Sequence, residues 1–146
     1  MARMHLLLFC IFFSISSFAQ IREIPEEVKR AFESQYPMAE NVEFKDNLLN
    51  VHIYFELNGE KMMAIYNNKG AWKNTEKEWS YDKLSQEVKD GFEKSKFAEW
   101  NVTETKIIQQ PGGTERIRIK AEKNDVSKRY LFFNKSGRLT GDAITL

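Results

Sequence analysis

The sequence predicts an α+β fold: a tandem repeat of a helix followed by about four antiparallel strands, with the helices packed on one face of a curved antiparallel sheet. Three observations predict it. Glu27-Val28-Lys29-Arg30-Ala31-Phe32-Glu33 recurs as Glu87-Val88-Lys89-Asp90-Gly91-Phe92-Glu93. Tyr66-Asn67-Asn68-Lys69-Gly70 resembles Phe133-Asn134-Lys135-Ser136-Gly137. After each heptapeptide, four-residue apolar spacing gives way to strict apolar–polar alternation, the change expected where a helix hands over to strands.

The chain opens with a signal-peptide pattern. Arg3 supplies the positive n-region, Leu6 to Ile15 the apolar stretch, and Ser17-Phe18-Ala19 a cleavage site before Gln20. The apolar run is shorter than the roughly 20 residues a membrane-spanning helix needs. Cys10 lies too early for a lipid anchor, and Phe9 is too large to precede a lipidated cysteine. The expected organisation is a signal peptide over 1–19 and a single domain over 20–146. Its two repeats would cover about 22–79 and 80–146. Export to the periplasm or the medium follows, with no membrane anchor after cleavage.

In the first repeat Ile24, Val28, Phe32 and Tyr36 fall on one helical face. Pro25 suits the first helical position, Glu26 and Glu27 complement the helix dipole, and Pro37 stops the helix. Leu49 to Leu57 then alternates, and Asn58-Gly59 signals a hairpin. A two-residue loop pairs Phe55 with Met62, Ile53 with Ala64, Val51 with Tyr66 and Glu56 with Lys61. A three-residue loop would bury Met63 and Ile65 instead. The opposite charges of Glu56 and Lys61 favour the first register. Asn67-Asn68-Lys69-Gly70 turns into a strand around Ala71 to Thr75.

In the second repeat Leu84, Val88 and Phe92 form the helical stripe, with Ser85 in place of Pro25. Val102 to Gln109, Arg116 to Ala121 and Lys128 to Asn134 read as strands. Pro111-Gly112-Gly113 and Lys123-Asn124-Asp125 mark turns between them, and a last strand follows Lys135-Ser136-Gly137. Trp79, Tyr81 and Trp100 lie near the boundary and are expected to staple the two repeats together.

The pattern Ile24-Pro25, Val28, Phe32, Tyr36-Pro37, then Asn58-Gly59, then Tyr66-Asn67-Asn68-Lys69-Gly70-Ala71-Trp72 resembles the PepSY-like, or β-lactamase-inhibitor-like, domains of exported bacterial proteins. The likeness covers essentially all of 20–146. It departs at Leu84-Ser85, where the family often has Leu-Pro, and at Asn67 and Asn134, where it favours Asp. The resemblance implies helices on one side of a curved sheet and no catalytic motif.

Composition narrows the chemistry. The chain carries 22 basic and 21 acidic residues, and Arg3 leaves with the signal. The remaining charge balances, so no long-range attraction to nucleic acid is expected. Cys10, the one cysteine, also leaves with the signal. His52 is then the one histidine, which excludes multi-histidine metal sites and cysteine–histidine catalysis. No nucleophile elbow or phosphate loop occurs. No enzyme activity, no cofactor and no metal are expected.

Binding remains. Strand alternation places His52, Tyr54, Glu56, Met63 and Ile65 on the sheet face away from the helices, with Trp72 across from Ile65. Arg116, Arg118, Lys120, Tyr130 and Phe132 join them from the second repeat. Aromatic side chains beside arginine are the composition enriched in interface cores, although cross-strand packing could also use them. The expected function is a non-enzymatic exported binding module that holds a protein or peptide partner of the cell envelope, as an inhibitor does. The binding set is His52, Tyr54, Met63, Ile65, Trp72, Arg116, Arg118, Tyr130 and Phe132. The alternative is a periplasmic carrier of a small ligand or ion. An enzyme is the least favoured reading.

Overall fold

The computed structural model describes residues 23–145. The expected signal peptide over 1–19 lies outside them. Helix α1 (Glu26–Gln35) leads into β1 (Glu40–Asp46), β2 (Asn50–Leu57), β3 (Glu60–Asn67) and β4 (Trp72–Glu78). A 3-10 turn at Tyr81–Lys83 precedes α2 (Gln86–Glu93). Strands β5 (Asn101–Gln110), β6 (Thr114–Asn124), β7 (Ser127–Asn134) and β8 (Leu139–Ile144) follow.

The expected tandem repeat of two helix-plus-four-strand units is overturned. The eight strands form one antiparallel sheet in the order β1 to β8, with two α-helices among the described residues. The expected boundary near Trp79 is bridged by strand pairing: Thr75 faces Gln109, and Glu78 faces Lys106. The ladder extends through the Trp79 N–H donating to the Thr105 carbonyl at 2.9 Å. Two separate four-stranded units would leave the inner edges of β4 and β5 with unpaired N–H and C=O groups; joining them satisfies both rows.

Helix α1 buries Val28 and Phe32 on the stripe read from the sequence. They meet Val51, Ile53, Phe55, Ala64 and Tyr66 of β2 and β3. Phe32 stands edge-on to Phe55, with ring centroids 5.0 Å apart. Pro25 is the N-cap rather than the first helical residue, and its carbonyl accepts from the Val28 N–H at 3.0 Å. Helix α2 buries Val88 and Phe92 against Ile117, Ile119, Leu131 and Phe133 of β6 and β7. Strand register carries both clusters onto the same side of the sheet.

The hairpin at Asn58-Gly59 has the two-residue register. Phe55 faces Met62, Ile53 faces Ala64, Val51 faces Tyr66 and Glu56 faces Lys61. Asn58 and Gly59 both take positive φ, at 53° and 77°, as a type I′ turn demands. Trp79, Tyr81 and Trp100 do not staple two units. All three pack against the α2 cluster, because β4–β5 pairing already supplies the junction.

The recurring turn motif has a packing role. In each copy the first Asn folds the turn: Asn67 Oδ1 accepts from the Lys69 and Ala71 N–H groups, and Asn134 Oδ1 from those of Ser136 and Arg138. The turn glycine is pressed against a helix. A Cβ on Gly70 would sit 2.6 Å from the Glu27 carbonyl oxygen; one on Gly137 would sit 1.8 Å from that of Glu87. The recurring heptapeptide and the recurring turn are thus two halves of one contact.

Candidate functional site

The sheet face opposite the helices has no secondary-structure layer over it among the described residues. On β2, His52 and Tyr54 face Ile65 and Met63 of β3. Ile65 and Met63 in turn face Asn74 and Glu76 of β4. Across the centre of the sheet, Glu76 faces Ile108, which faces Arg116; Lys106 faces Arg118. Arg118 faces Phe132, and Lys120 faces Tyr130. Of the sequence-predicted set, all but Trp72 lie on this face.

Trp72 is the correction. It was expected across from Ile65, but Asn74 occupies that place. A bulge between Ile65 and Tyr66 pairs Trp72 with Tyr66, and the extra residue reverses the face that Trp72 presents. Trp72 packs on the α1 core, and its indole N–H donates to Thr75 Oγ1 at 2.9 Å. The Tyr36 hydroxyl shares that threonine oxygen at 2.6 Å. The Tyr66 hydroxyl donates to Gln35 Oε1 at 2.7 Å. Burial pushes the Tyr36 and Tyr66 phenols up.

The centre of the open face is an ion cluster that sequence reasoning missed. Arg118 donates from both terminal nitrogens to the two Glu76 oxygens, each at 3.1 Å, and also to Glu104 at 3.2 Å. Lys106 lies 3.5 Å from Glu76. The Glu76 and Arg118 side chains are 11% and 15% exposed, so the pair is largely desolvated and removal of one member strands the other. Arg118 also stacks 4.6 Å above the Tyr130 ring. The cluster locks β4, β5 and β6 in register, and Arg118 is therefore committed within the sheet. Finding it from sequence required knowing that β4 pairs with β5, and β4 was expected to stop at Thr75.

Beside the cluster is a hollow of about 240 Å³ lined by Tyr54, Lys61, Met62, Met63, Glu78 and Lys106, with Glu76. The Tyr54 ring lies 4.8 Å from the Lys45 ammonium and remains 38% exposed. His52 Nδ1 is 3.1 Å from the Asn47 amide nitrogen. On the helix side, a larger groove of about 660 Å³ runs beside the start of α2, floored by Leu84, Val88, Ile107 and Ile117. Trp79 forms its wall, and Lys83 and Lys135 stand among its lining residues. No group of His, Cys, Asp and Glu side chains suited to a metal occurs among the described residues.

Searches for known relatives give structural neighbours. No family model matches the chain, and no curated protein matches it. A DUF2874 family protein from Bacteroides ovatus superposes with a TM-score of 0.76 at 26% identity, covering 84% of this chain and 88% of that one. A BLIP-like protein from Bacteroides fragilis superposes with a TM-score of 0.76 at 19% identity, covering 85% and 88%. A Bacteroides eggerthii protein provisionally described as periplasmic gives 0.73 at 20% identity, covering 84% and 89%. The resemblance to PepSY-like domains is not shown by these matches; what they do establish is that this chain has a BLIP-like fold.

Proposed function

We propose that this chain is a non-enzymatic binding module of the cell envelope that holds a protein or peptide partner on its open sheet face. The observation that carries this reading is the uncovered row of Tyr54, Met63 and Ile65 beside the desolvated Glu76–Arg118 cluster. An adaptable thioether, an accessible aromatic ring and a rigid charged floor are the parts from which interface centres are built. The hollow at Tyr54 and Met63 is the size of a side chain rather than of a metabolite. The BLIP-like neighbour and the neighbour provisionally described as periplasmic support the same reading.

The test is capture of binding proteins from an envelope extract by four baits: the natural protein, Tyr54→Ala, Met63→Ala and the control Val126→Ala. Val126 is 91% exposed in the β6–β7 turn, outside the Tyr54–Met63 row. Partners lost with the first two variants and kept by the control support the reading. Identical capture by all four sinks it.

A second reading, carriage of a small ligand, is favoured by the groove beside α2. Its volume of about 660 Å³ lies in the range of ligand sites, ~300–1,000 Å³. A panel of bile acids and peptidoglycan fragments should then raise the melting temperature, and Ile107→Trp should abolish the rise. Flat melting curves across the panel remove this reading.

A further inference from the structure

The two arginines of β6 are held alike but not spent alike. Arg118 stacks on Tyr130 and gives both terminal nitrogens to Glu76 and Glu104. Arg116 stacks 4.6 Å above the Phe132 ring, but no ion pair with a carboxylate of the described residues accompanies it. Stacking on an aromatic face pre-organises a guanidinium and leaves its N–H edge available to a planar acceptor. The surroundings leave room for one. Gly141 of β8 faces Phe132, and a Cβ built on it would meet nothing within 4 Å. Ile108 faces Arg116 on the other side and supplies apolar contact without a competing charge.

The charge around this platform is one-sided. On the open face of β5 to β7, Lys106, Arg116, Arg118, Lys120 and Lys128 stand against Glu104 and Glu122. On β1 to β4 the balance reverses, with Glu40, Glu43, Glu56, Glu76 and Glu78 against Lys45 and Lys61. A near-neutral chain thus presents a face with a basic half and an acidic half, a pattern that orients an incoming partner.

From this asymmetry we infer that the β5–β7 half of the face is an anchor for an acidic protein segment, in which a carboxylate pairs with Arg116 while a neighbouring apolar side chain covers Phe132 and Gly141. This rests on the open-face reading above and adds the partner's chemistry and its polarity on the sheet. A carboxylate pairs bidentately with a stacked guanidinium, and its charge-assisted bonds form where part of the water has already been displaced by Phe132 and Ile108.

The test uses a blocked, fluorescently labelled peptide of alternating glutamate and phenylalanine, with glutamine-for-glutamate and lysine-for-glutamate analogues. Binding is read by anisotropy and by amide chemical-shift changes. The acidic peptide should bind tightest and shift resonances at Arg116, Phe132 and Gly141. Arg116→Ala should weaken it about tenfold, about 1.4 kcal/mol, and Arg116→Lys should restore only part. Arg138→Ala removes the same charge from the β7–β8 turn and should leave binding unchanged. Equal binding of the glutamine analogue, or no loss with Arg116→Ala, overturns the inference. If those peptides still shift Tyr54 and Met63, the face remains an interface and only its acidic anchor has failed. Shifts confined to the helix side would overturn the open-face reading itself. Dextran sulfate competing as a tighter ligand than the peptide would overturn the assignment to protein.

Discussion

Replacing Gly91 by alanine separates two arguments that predict opposite signs. Gly91 lies inside α2, where glycine is about 1 kcal/mol worse than alanine on propensity alone. By that argument Gly91→Ala stabilises. The tertiary structure reverses the sign. A Cβ on Gly91 would lie 1.9 Å from the Gly137 carbonyl oxygen, and one on Gly137 would lie 1.8 Å from the Glu87 carbonyl oxygen. Both contacts are with backbone, so no rotamer change relieves them. An ordinary carbon–oxygen contact of roughly 3.3 Å requires α2 and the β7–β8 turn to separate by more than an ångström. That lifts Val88 and Phe92 from Ile117, Leu131 and Phe133, and such misfits cost about 1–3 kcal/mol, sometimes more. Less the propensity gain of about 1 kcal/mol, Gly91→Ala should therefore destabilise by about 1 kcal/mol net. Gly137→Ala adds the cost of a side chain at φ 77°, about 1–2 kcal/mol, to the same misfit, for a total of about 2–5 kcal/mol. Gly59→Ala is the calibration: it has the same φ of 77° but nothing within 4 Å, so only the conformational cost of about 1–2 kcal/mol applies. Urea unfolding followed by far-ultraviolet circular dichroism measures all three. A stabilised Gly91→Ala, or a Gly137→Ala no worse than Gly59→Ala, would refute the close helix–turn approach.

Three further outcomes are expected. Glu76→Gln should cost about 2 kcal/mol by stranding part of Arg118; in a double-mutant cycle with Arg118→Met the two losses should fall short of additive by at least ~1 kcal/mol, whereas simple additivity would deny the cluster. Thr75→Val should cost about 1–3 kcal/mol, because it leaves Trp72 Nε1 and the Tyr36 hydroxyl without their shared partner; a neutral result in thermal unfolding would show that water replaces it. Burial raises the phenols of Tyr36, Tyr66 and Tyr81, so the folded chain holds these protons more tightly than the unfolded chain. Their contribution is intact below the unfolded phenol value of about 10 and is lost as pH rises above it. The urea midpoint should therefore be level from pH 8 to about 9.5 and fall towards pH 11. Tyr66→Phe should flatten part of that fall, and an unchanged slope would count against Tyr66 as a source.

Local pattern made much of the secondary structure legible. The stripes at Val28–Phe32 and Val88–Phe92, and the Asn58-Gly59 register, depend on interactions within a few residues or across one turn. Strand β1 was not read, since Glu-Asn-Val-Glu-Phe-Lys-Asp shows little alternation and, at the sheet edge, little pressure to show any. Strand β4 was read too short, which hid Glu76. Trp72 was assigned to the wrong face because one bulge reverses alternation, and a bulge leaves no reliable mark in composition.

By itself, then, the sequence determined which residues are buried in each helix stripe, where most strands and turns fall, and that histidine and cysteine chemistry has few residues to work with. The tertiary structure alone decided that β4 joins β5 in one sheet, and that Arg118 is spent on Glu76 while Arg116 stacks on Phe132 without a carboxylate partner among the described residues. It also decided that Gly70 and Gly137 sit where two backbones touch. The physical reason is range. Periodicity reports which side of an element is apolar, but edge pairing, ion-pair partnership and backbone approach depend on residues 14 to 50 positions apart, whose proximity is fixed only when the sheet is assembled.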